Sequence, residues 1–223
     1  FTELRLRGLS LTLQRAEDGA WSVLGLPGQT SGGDPLQSLE GLGELQVIDA
    51  RLAVVAPSLG WNQQLPRIDL RLRVDEERVR AGTRVWASES GEPVQIAFNF
   101  NRDSGDGSAY LDARKVDFSE WVSLLQYAGV QVDSGSGRAR GWAELRGHKV
   151  MVLTSELDLQ QVGLQGAPLL QAGTVPRVDF AQMQGLMRWR VTADGWRFDA
   201  PRLRVGSKET PQKLDGLVLA GGK

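Results

Sequence analysis

The sequence predicts a mainly β protein, in which a long antiparallel sheet, strongly twisted and bent, curls into an open trough and carries one or two short helices. Three observations predict this fold. Apolar and polar residues alternate along most of the chain, turn-forming residues separate the alternating runs, and the alternation shifts by one residue at several points. Because successive side chains of a strand point to opposite faces, such runs give strands with one apolar and one solvated face.

The composition fits a folded chain that does not bind nucleic acid. Hydrophobic residues make up 41% and charged residues 24% of the 223 residues, so a core can form without disulfides. The formal net charge is −1, whereas a nucleic-acid binder needs a basic surface. Cysteine is absent and His148 is the one histidine, which excludes thiol catalysis and every site built on two histidines. We therefore expect no catalytic metal, no cofactor and no enzyme activity.

The strands are predicted where the alternation is clearest. The main runs cover residues 67–74, 94–101, 139–145, 151–159 and 187–191. Strands with one solvated face are typical of antiparallel sheets. Turn signals between the runs predict hairpins at Glu17-Asp18-Gly19, Ser90-Gly91, Asp103 to Gly107, Arg146-Gly147-His148 and Asp194-Gly195.

Helix is predicted in two places. Residues 118–128 place Phe118, Trp121 and Leu125 on one side at helical spacing. A second short helix is predicted after Asp34, within a stretch rich in glycine and proline.

The alternation of apolar residues changes parity near Gly8, Ala50, Arg114, Gln160 and Pro201. Such a change moves the apolar side chains to the other face unless a residue bulges out of the strand. Three of these places are alike in sequence, namely Ile48-Asp49-Ala50-Arg51, Leu111-Asp112-Ala113-Arg114 and Phe198-Asp199-Ala200-Pro201. We interpret them as a degenerate repeat, and we predict a bulge, bend or break at each change of parity. Regular bends in a sheet that stays apolar on one side would curl it into a trough.

Several segments of the chain resemble a known family in their order. Four segments follow one another as in the AsmA-like proteins of Gram-negative bacteria, in particular the YhdP branch. They are Tyr110 to Phe118, Ser119 to Leu125, Gly135 to Leu145 and Leu157 to Leu164. The segments Leu4 to Leu11 and Leu45 to Leu52 look similar too. The resemblance covers roughly residues 1–205, and it rests on an order of strand motifs without a catalytic string.

The resemblance implies a bridge-like lipid transfer protein. Such proteins are anchored in the inner membrane by an N-terminal helix, which here would lie outside the sequence, and they extend through the periplasm as a trough of stacked β repeats. The chain would then be one β-rich segment, 1–223, with sub-repeats 1–110 and 111–223, of a longer protein. The expected partners are phospholipid acyl chains, the rest of its own longer chain, and inner- and outer-membrane proteins.

The implied function is a conduit that carries phospholipid between the two membranes along an apolar groove. The predicted lining residues are Leu52, Val54, Ile68, Leu70, Leu72, Ile96, Phe98, Phe100, Leu111, Leu145, Leu153, Leu157 and Leu159. Phe118, Trp121 and Leu125 of the predicted helix would close one edge of the groove. Two alternatives stay open from the residues: a structural or adhesive β-sandwich with a dry core, and a carbohydrate-binding module that uses some of the seven tryptophans.

Overall fold

The structure is a computed structural model that describes residues 3–17, 21–25, 43–127, 130–166, 175–207 and 209–222. Strands account for 75% of it and helix for almost none, which confirms the predicted mainly β fold. Contacts divide the chain into two compact units, residues 1–107 and 108–223. The helix predicted after Asp34 and most of the turn predicted at Glu17 to Gly19 lie outside the described residues.

The first unit is a mixed sheet. Its strands are β1 (Glu3–Arg7), β2 (Ser10–Arg15), β3 (Trp21–Leu24), β4 (Glu44–Ala56), β5 (Trp61–Val74), β6 (Arg78–Trp86) and β7 (Val94–Asn101). They lie in the order β7-β6-β5-β4-β2-β3, with β1 also paired to β4. Strands β4 to β7 are antiparallel, but β1 and β2 run parallel to β4. The predicted antiparallel sheet is therefore mixed at this end, because alternation reports which face a side chain occupies and not the direction of the neighbouring strand.

The second unit is built from longer hairpins. Its strands are β8 (Gly107–Asp117), β9 (Gln126–Tyr127), β10 (Val130–Arg146), β11 (Lys149–Gln165), β12 (Arg177–Thr192), β13 (Gly195–Gly206), β14 (Pro211–Lys213) and β15 (Leu217–Gly222). The order is β8-β10-β11-β12-β13-β14, while β15 also pairs with β13 and β9 with β10. Gly147 and His148 join β10 to β11 with φ angles of 56° and 60°, the left-handed conformation that a tight hairpin turn requires. The predicted hairpins at Ser90, Asp103, Arg146 and Asp194 are confirmed.

The predicted bends of the first unit are present. Strand β1 ends at Arg7, and Gly8, with φ of 67°, donates its N–H to the carbonyl of Ile48. The β4–β5 ladder changes register on both sides of Ala50, next to Asp49 with φ of 54°. These bulges keep the apolar residues before and after them on one face, as the sequence predicts.

The second unit is bent in the same way. Gln161 has φ of 52°, and the β10–β11 ladder shifts register beside it. The β12–β13 ladder shifts register opposite Pro201. Near Arg114 the strand β8 is continuous and shows no break. The buried side chains nevertheless change from odd to even positions there, because Ala113 and Val116 are both buried. The alanines of the three similar motifs, Ala50, Ala113 and Ala200, are 0%, 3% and 0% exposed, so the repeat identifies equivalent tightly packed positions.

The predicted α-helix over residues 118–128 is not formed. Two 3₁₀ turns, Phe118–Glu120 and Val122–Leu124, take its place, after Asp117 caps the N–H of Ser119. The chain then turns back, the N–H of Val132 donates to the carbonyl of Leu125, and β9 pairs with β10. Hairpin hydrogen bonds therefore override helical spacing, since a short helix has little stability of its own.

Candidate functional site

The first unit presents one continuous apolar face. Neighbours in the sheet place the same kind of side chain opposite one another, in the rows Leu45-Leu72-Ala81-Phe98, Val47-Leu70-Thr83-Ile96 and Ala50-Ile68-Val85-Val94. Leu4, Leu6 and Leu11 extend these rows through β1 and β2 to Leu45, Val47 and Leu52. With strands about 4.8 Å apart, the four strands β4 to β7 form a floor about 15 Å wide.

Thr83 is the polar residue of these rows, and it does not interrupt the apolar character of the face. Its hydroxyl donates to the backbone carbonyl of Asp69 on the neighbouring strand, at 2.9 Å. Because the hydroxyl is satisfied within the sheet, no unpaired polar group has to be covered by a ligand.

The predicted lining residues of the first unit share this face but differ in exposure. Val54 and Ile68 are buried, at 6% and 5% exposed. The others are half-buried: Leu52, Leu70, Leu72, Ile96, Phe98 and Phe100. All described strands of the unit belong to one sheet, and a sandwich needs a second sheet about 10 Å away. The side chains at the centre of the face are therefore buried, and those towards β6 and β7 are partly exposed.

The apolar face of the second unit contains a furrow along β10. Ala139, Gly141 and Ala143 follow one another on this face, opposite Leu157, Ser155 and Leu153 of β11. A Cβ atom placed on Gly141 would lie 3.8 Å from Leu111 and 4.0 Å from Leu153. Strand β10 therefore carries small side chains on this face, with leucines on the strands beside it.

The furrow continues into a wider apolar floor. Strand β12 adds Met183, Met187 and Trp189, and β13 adds Phe198, Leu203 and Val205. Among the predicted lining residues, Leu159 is buried at 2% exposed, Leu153 is 39% exposed, and Leu111, Leu145 and Leu157 are half-buried. Leu153 is therefore exposed, whereas the other predicted lining residues of the second unit are buried or half-buried like those of the first.

The residues predicted to close a groove edge lie on the two 3₁₀ turns. Phe118, Trp121 and Leu125 are all half-buried. The ring of Phe118 lies 3.1 Å from the point where a Cβ of Gly135 would stand, which places it over the first glycine of β10. The structure thus brings Phe118 to the end of the furrow by a hairpin turn, although the predicted helix is absent.

The opposite face of the first unit is charged, and arginines share its carboxylates in ion pairs. Glu44 of β4 accepts hydrogen bonds from Gln46 at 2.6 Å and from Arg73 at 2.7 Å, and pairs with Arg71 at 3.4 Å. The amide of Gln46 and the guanidinium of Arg73 lower the pKa of the Glu44 carboxyl below its ordinary value. Asp69 likewise pairs with Arg84 at 2.6 Å.

The charged face of the second unit is neutralised in part. Arg140 pairs with Glu156, and both Arg190 and Arg197 pair with Asp199. The carboxylates of Asp179 and Asp133 raise the pKa of the Arg177 guanidinium above its ordinary value.

Polar side chains occupy the turns at two hairpin tips. The tip between β7 and β8 is a polar turn in which Asn101 accepts from the backbone N–H groups of Asp103 and Ser104. His148 is exposed at the tip of the β10–β11 hairpin. Within the described ranges, no three His, Asp or Glu side chains are grouped so as to hold a metal ion.

The described residues also contain no helix with the length and apolar character of a membrane span. Sequence reasoning missed bulges at Asp133 of β10 and at Met151 of β11. It also missed the bulge at Pro66 and Arg67, where β5 has one residue more than β4 between Leu65 and Ile68. Proline inside a strand was the signal for it. It also missed the small-residue line of β10 as a feature of the face.

These features define a class of protein. The chain presents β-sheet faces with contiguous apolar side chains and charged opposite faces, and exposed apolar patches of this kind mark surfaces that interact with another molecule.

The chain belongs to the YhdP family, because the family model described as YhdP protein matches residues 1–218. This is a family of lipid-transport-related proteins, and membership indicates a periplasmic protein of bacteria. No curated protein and no solved structure matches the chain significantly.

Proposed function

We propose that the chain is a non-enzymatic segment of a periplasmic conduit, in which phospholipid acyl chains travel along the apolar sheet faces between the inner and outer membranes. The longer protein would be tethered to the inner membrane by an N-terminal helix outside this sequence. The observation that carries the proposal is the contiguous apolar face of each unit, half-exposed at Phe98 and Phe100 and at Leu153. Membership in the YhdP family supports it.

Physical chemistry favours acyl chains as the occupant. Burial of apolar surface stabilises a complex by about 25 cal/mol per Å² and needs no specific polar residue. The furrow along Ala139, Gly141 and Ala143 offers a line of small side chains, and a strand of nine residues spans about 30 Å. A chain lying there would contact Leu111 and Leu153 at its sides.

The dry-sandwich alternative is less well supported. In each unit the described strands join a single sheet, whereas a sandwich core requires two. The carbohydrate alternative rests on exposed tryptophans, and Trp142 and Trp196 are 40% and 39% exposed. Trp142 lies beside Tyr110, with 5.6 Å between the ring centres. The two rings are tilted by 47° and so do not form a flat platform for a sugar.

The test places a charge on the apolar face. Phe98→Asp and Leu70→Asp should abolish photo-crosslinking to phospholipid in the full-length protein, because a charge in a dewatered path opposes an acyl chain. The matched control is Asn99→Asp on the opposite face of the same strand, which should crosslink normally. Thermal unfolding of each variant is measured alongside.

Three outcomes decide between a lipid conduit and a dry core. A stable Phe98→Asp protein without crosslinking supports the conduit. Unfolding of both apolar-face variants, with Asn99→Asp stable, favours a dry core instead. Unchanged crosslinking in stable variants contradicts the proposal for this face. Native mass spectrometry of the purified chain, with retained phospholipid as the expected result, gives an independent measurement.

A further inference from the structure

The charged face of the first unit has an open position at Gly82, in the middle of β6. Apart from its chain neighbours, no atom of the described residues lies within 4 Å of the point where a Cβ of Gly82 would stand. The backbone of Gly82 is not in the left-handed conformation, so neither packing nor backbone geometry requires a glycine there. A glycine in the interior of a strand often marks a place that another molecule approaches closely.

Arginines surround this open position. The registers of β5 with β6 and of β6 with β7 place eight residues next to Gly82 on the charged face, namely Arg80 and Arg84 of β6, Asp69, Arg71 and Arg73 of β5, and Gln95, Ala97 and Asn99 of β7. This set contains four guanidiniums, two amides and one carboxylate. Neighbouring strands are about 4.8 Å apart and alternate residues of a strand about 6.8 Å apart, so the long arginine side chains reach the space above Gly82.

The carboxylates of this region are less exposed than its arginines. Glu44 and Asp69 pair with the surrounding arginines, and their side chains are each 12% exposed. The side chains of the four arginines are 51% to 70% exposed. A further carboxylate, Asp75, pairs with Arg80 at 3.3 Å and belongs to the turn that follows β5. A molecule that approaches Gly82 therefore meets guanidinium groups first.

Two of these arginines lie directly opposite each other. Arg73 of β5 and Arg80 of β6 are partners in the register, and like charges directly opposite one another destabilise a sheet. Glu44 pairs with Arg73 on one side, and Asp75 pairs with Arg80. An anion bound above Gly82 would reduce the repulsion that remains between the two guanidiniums.

We propose that the space above Gly82 binds a phosphate group, carried by a lipid headgroup or free in solution. Guanidiniums reach this space from β5 and from both directions along β6, and amides reach it from β7. Each guanidinium has five N–H donors, so its ion pair leaves donors for a ligand. A tetrahedral oxyanion accepts hydrogen bonds from several directions, whereas the two oxygens of a carboxylate lie in one plane, and the guanidinium fork matches phosphate oxygens.

The phosphate site is separate from the proposed lipid path. It lies on the opposite face of the sheet from the apolar floor, so acyl chains on that floor do not reach it. The inference therefore does not depend on lipid transport. A lipid held only by its headgroup at this exposed site would be removed during purification, because exposed charge pairs are weak.

The experiment titrates the chain with inorganic phosphate by isothermal titration calorimetry. Low ionic strength is used, because salt screens exposed charges. We expect saturable binding, and the double variant Arg80→Gln with Arg84→Gln should bind about tenfold more weakly, since it loses two charge-assisted contacts. The matched control, Arg202→Gln with Arg204→Gln, removes the same charge from exposed positions of β13 in the second unit and should bind like the unmodified chain.

Gly82→Val tests the open position without changing the charge. Valine is favourable in a strand and its Cβ would meet open space, so the fold should be retained while phosphate binding falls. Thermal unfolding of the variant checks the fold. Unchanged phosphate binding in this variant would overturn the proposal, and so would equal losses in the two arginine double variants, which would show a diffuse charge effect.

Vesicles distinguish the two sources of the phosphate group. Flotation with phosphatidylglycerol vesicles is measured at the same ionic strength for the unmodified chain, for Gly82→Val and for the two arginine double variants. Vesicle binding that is lost in Gly82→Val and in the Arg80 and Arg84 double variant assigns the site to a lipid headgroup. Binding of inorganic phosphate without vesicle binding assigns it to the free ion. Binding of neither would contradict the proposal.

Discussion

The two units use the same sheet pattern with different closure of the apolar face. In the first unit the centre of the apolar face is buried, with Val47 and Ala50 at 0% exposed. On the opposite, charged face, arginines pair with Glu44 and Asp69. In the second unit Leu153 stays 39% exposed beside a line of glycine and alanine. The comparison shows that alternation sets which face is apolar, whereas the burial of each apolar side chain depends on what the tertiary structure packs against it.

The largest expected effect separates the closed centre from the open floor. Val47→Asp should destabilise the protein by roughly 3–5 kcal/mol, because it leaves an unpaired charge where no water reaches. Leu153→Asp should cost less than about 1 kcal/mol, because its carboxylate reaches solvent. Urea denaturation of both variants measures the difference, and equal losses would remove the distinction between the two faces.

The next prediction concerns the furrow of β10. Gly141→Val should leave the free energy of unfolding within about 1 kcal/mol, since its Cβ would have no neighbour closer than 3.8 Å, but it should reduce the phospholipid retained on purification. Gly82→Val is the matched control, because Gly82 lies on the charged face of β6 with open space around its Cβ position. Quantitative lipid mass spectrometry measures both, and equal retention in the two variants would contradict a role for the furrow.

The smallest expected effect concerns Glu44 on the charged face of the first unit. The folded-state pKa of Glu44 is lowered, so its contribution to stability is present above the unfolded-state pKa and is lost as the pH falls through the folded-state value. Unfolding free energies at pH 7 and in acid should therefore differ more for the unmodified chain than for Glu44→Gln. An identical acid loss in both would show that the Gln46 and Arg73 contacts contribute nothing in solution.

Sequence reasoning located the apolar face well because a strand has a strict period of two. The residues Leu70, Leu72, Phe98 and Phe100 share a face as predicted, and the parity changes near Gly8, Ala50, Gln160 and Pro201 mark real irregularities. The same reasoning gave the wrong structure for residues 118–128. Spacing in a short segment suits a helix and a hairpin turn alike, and hydrogen bonds to β10 decide between them.

The sequence by itself determined the strands, their apolar and charged faces and the positions where strands bend, because each of these depends on residues close together in the chain. Tertiary structure decided the parallel pairing of β1 and β2 with β4, the burial of Val47 against the exposure of Leu153, and the partnering of Arg71 and Arg73 by Glu44. These features depend on which strand lies beside which. A local alternation of side chains carries no information on that neighbour, since every strand of the same period presents the same two faces.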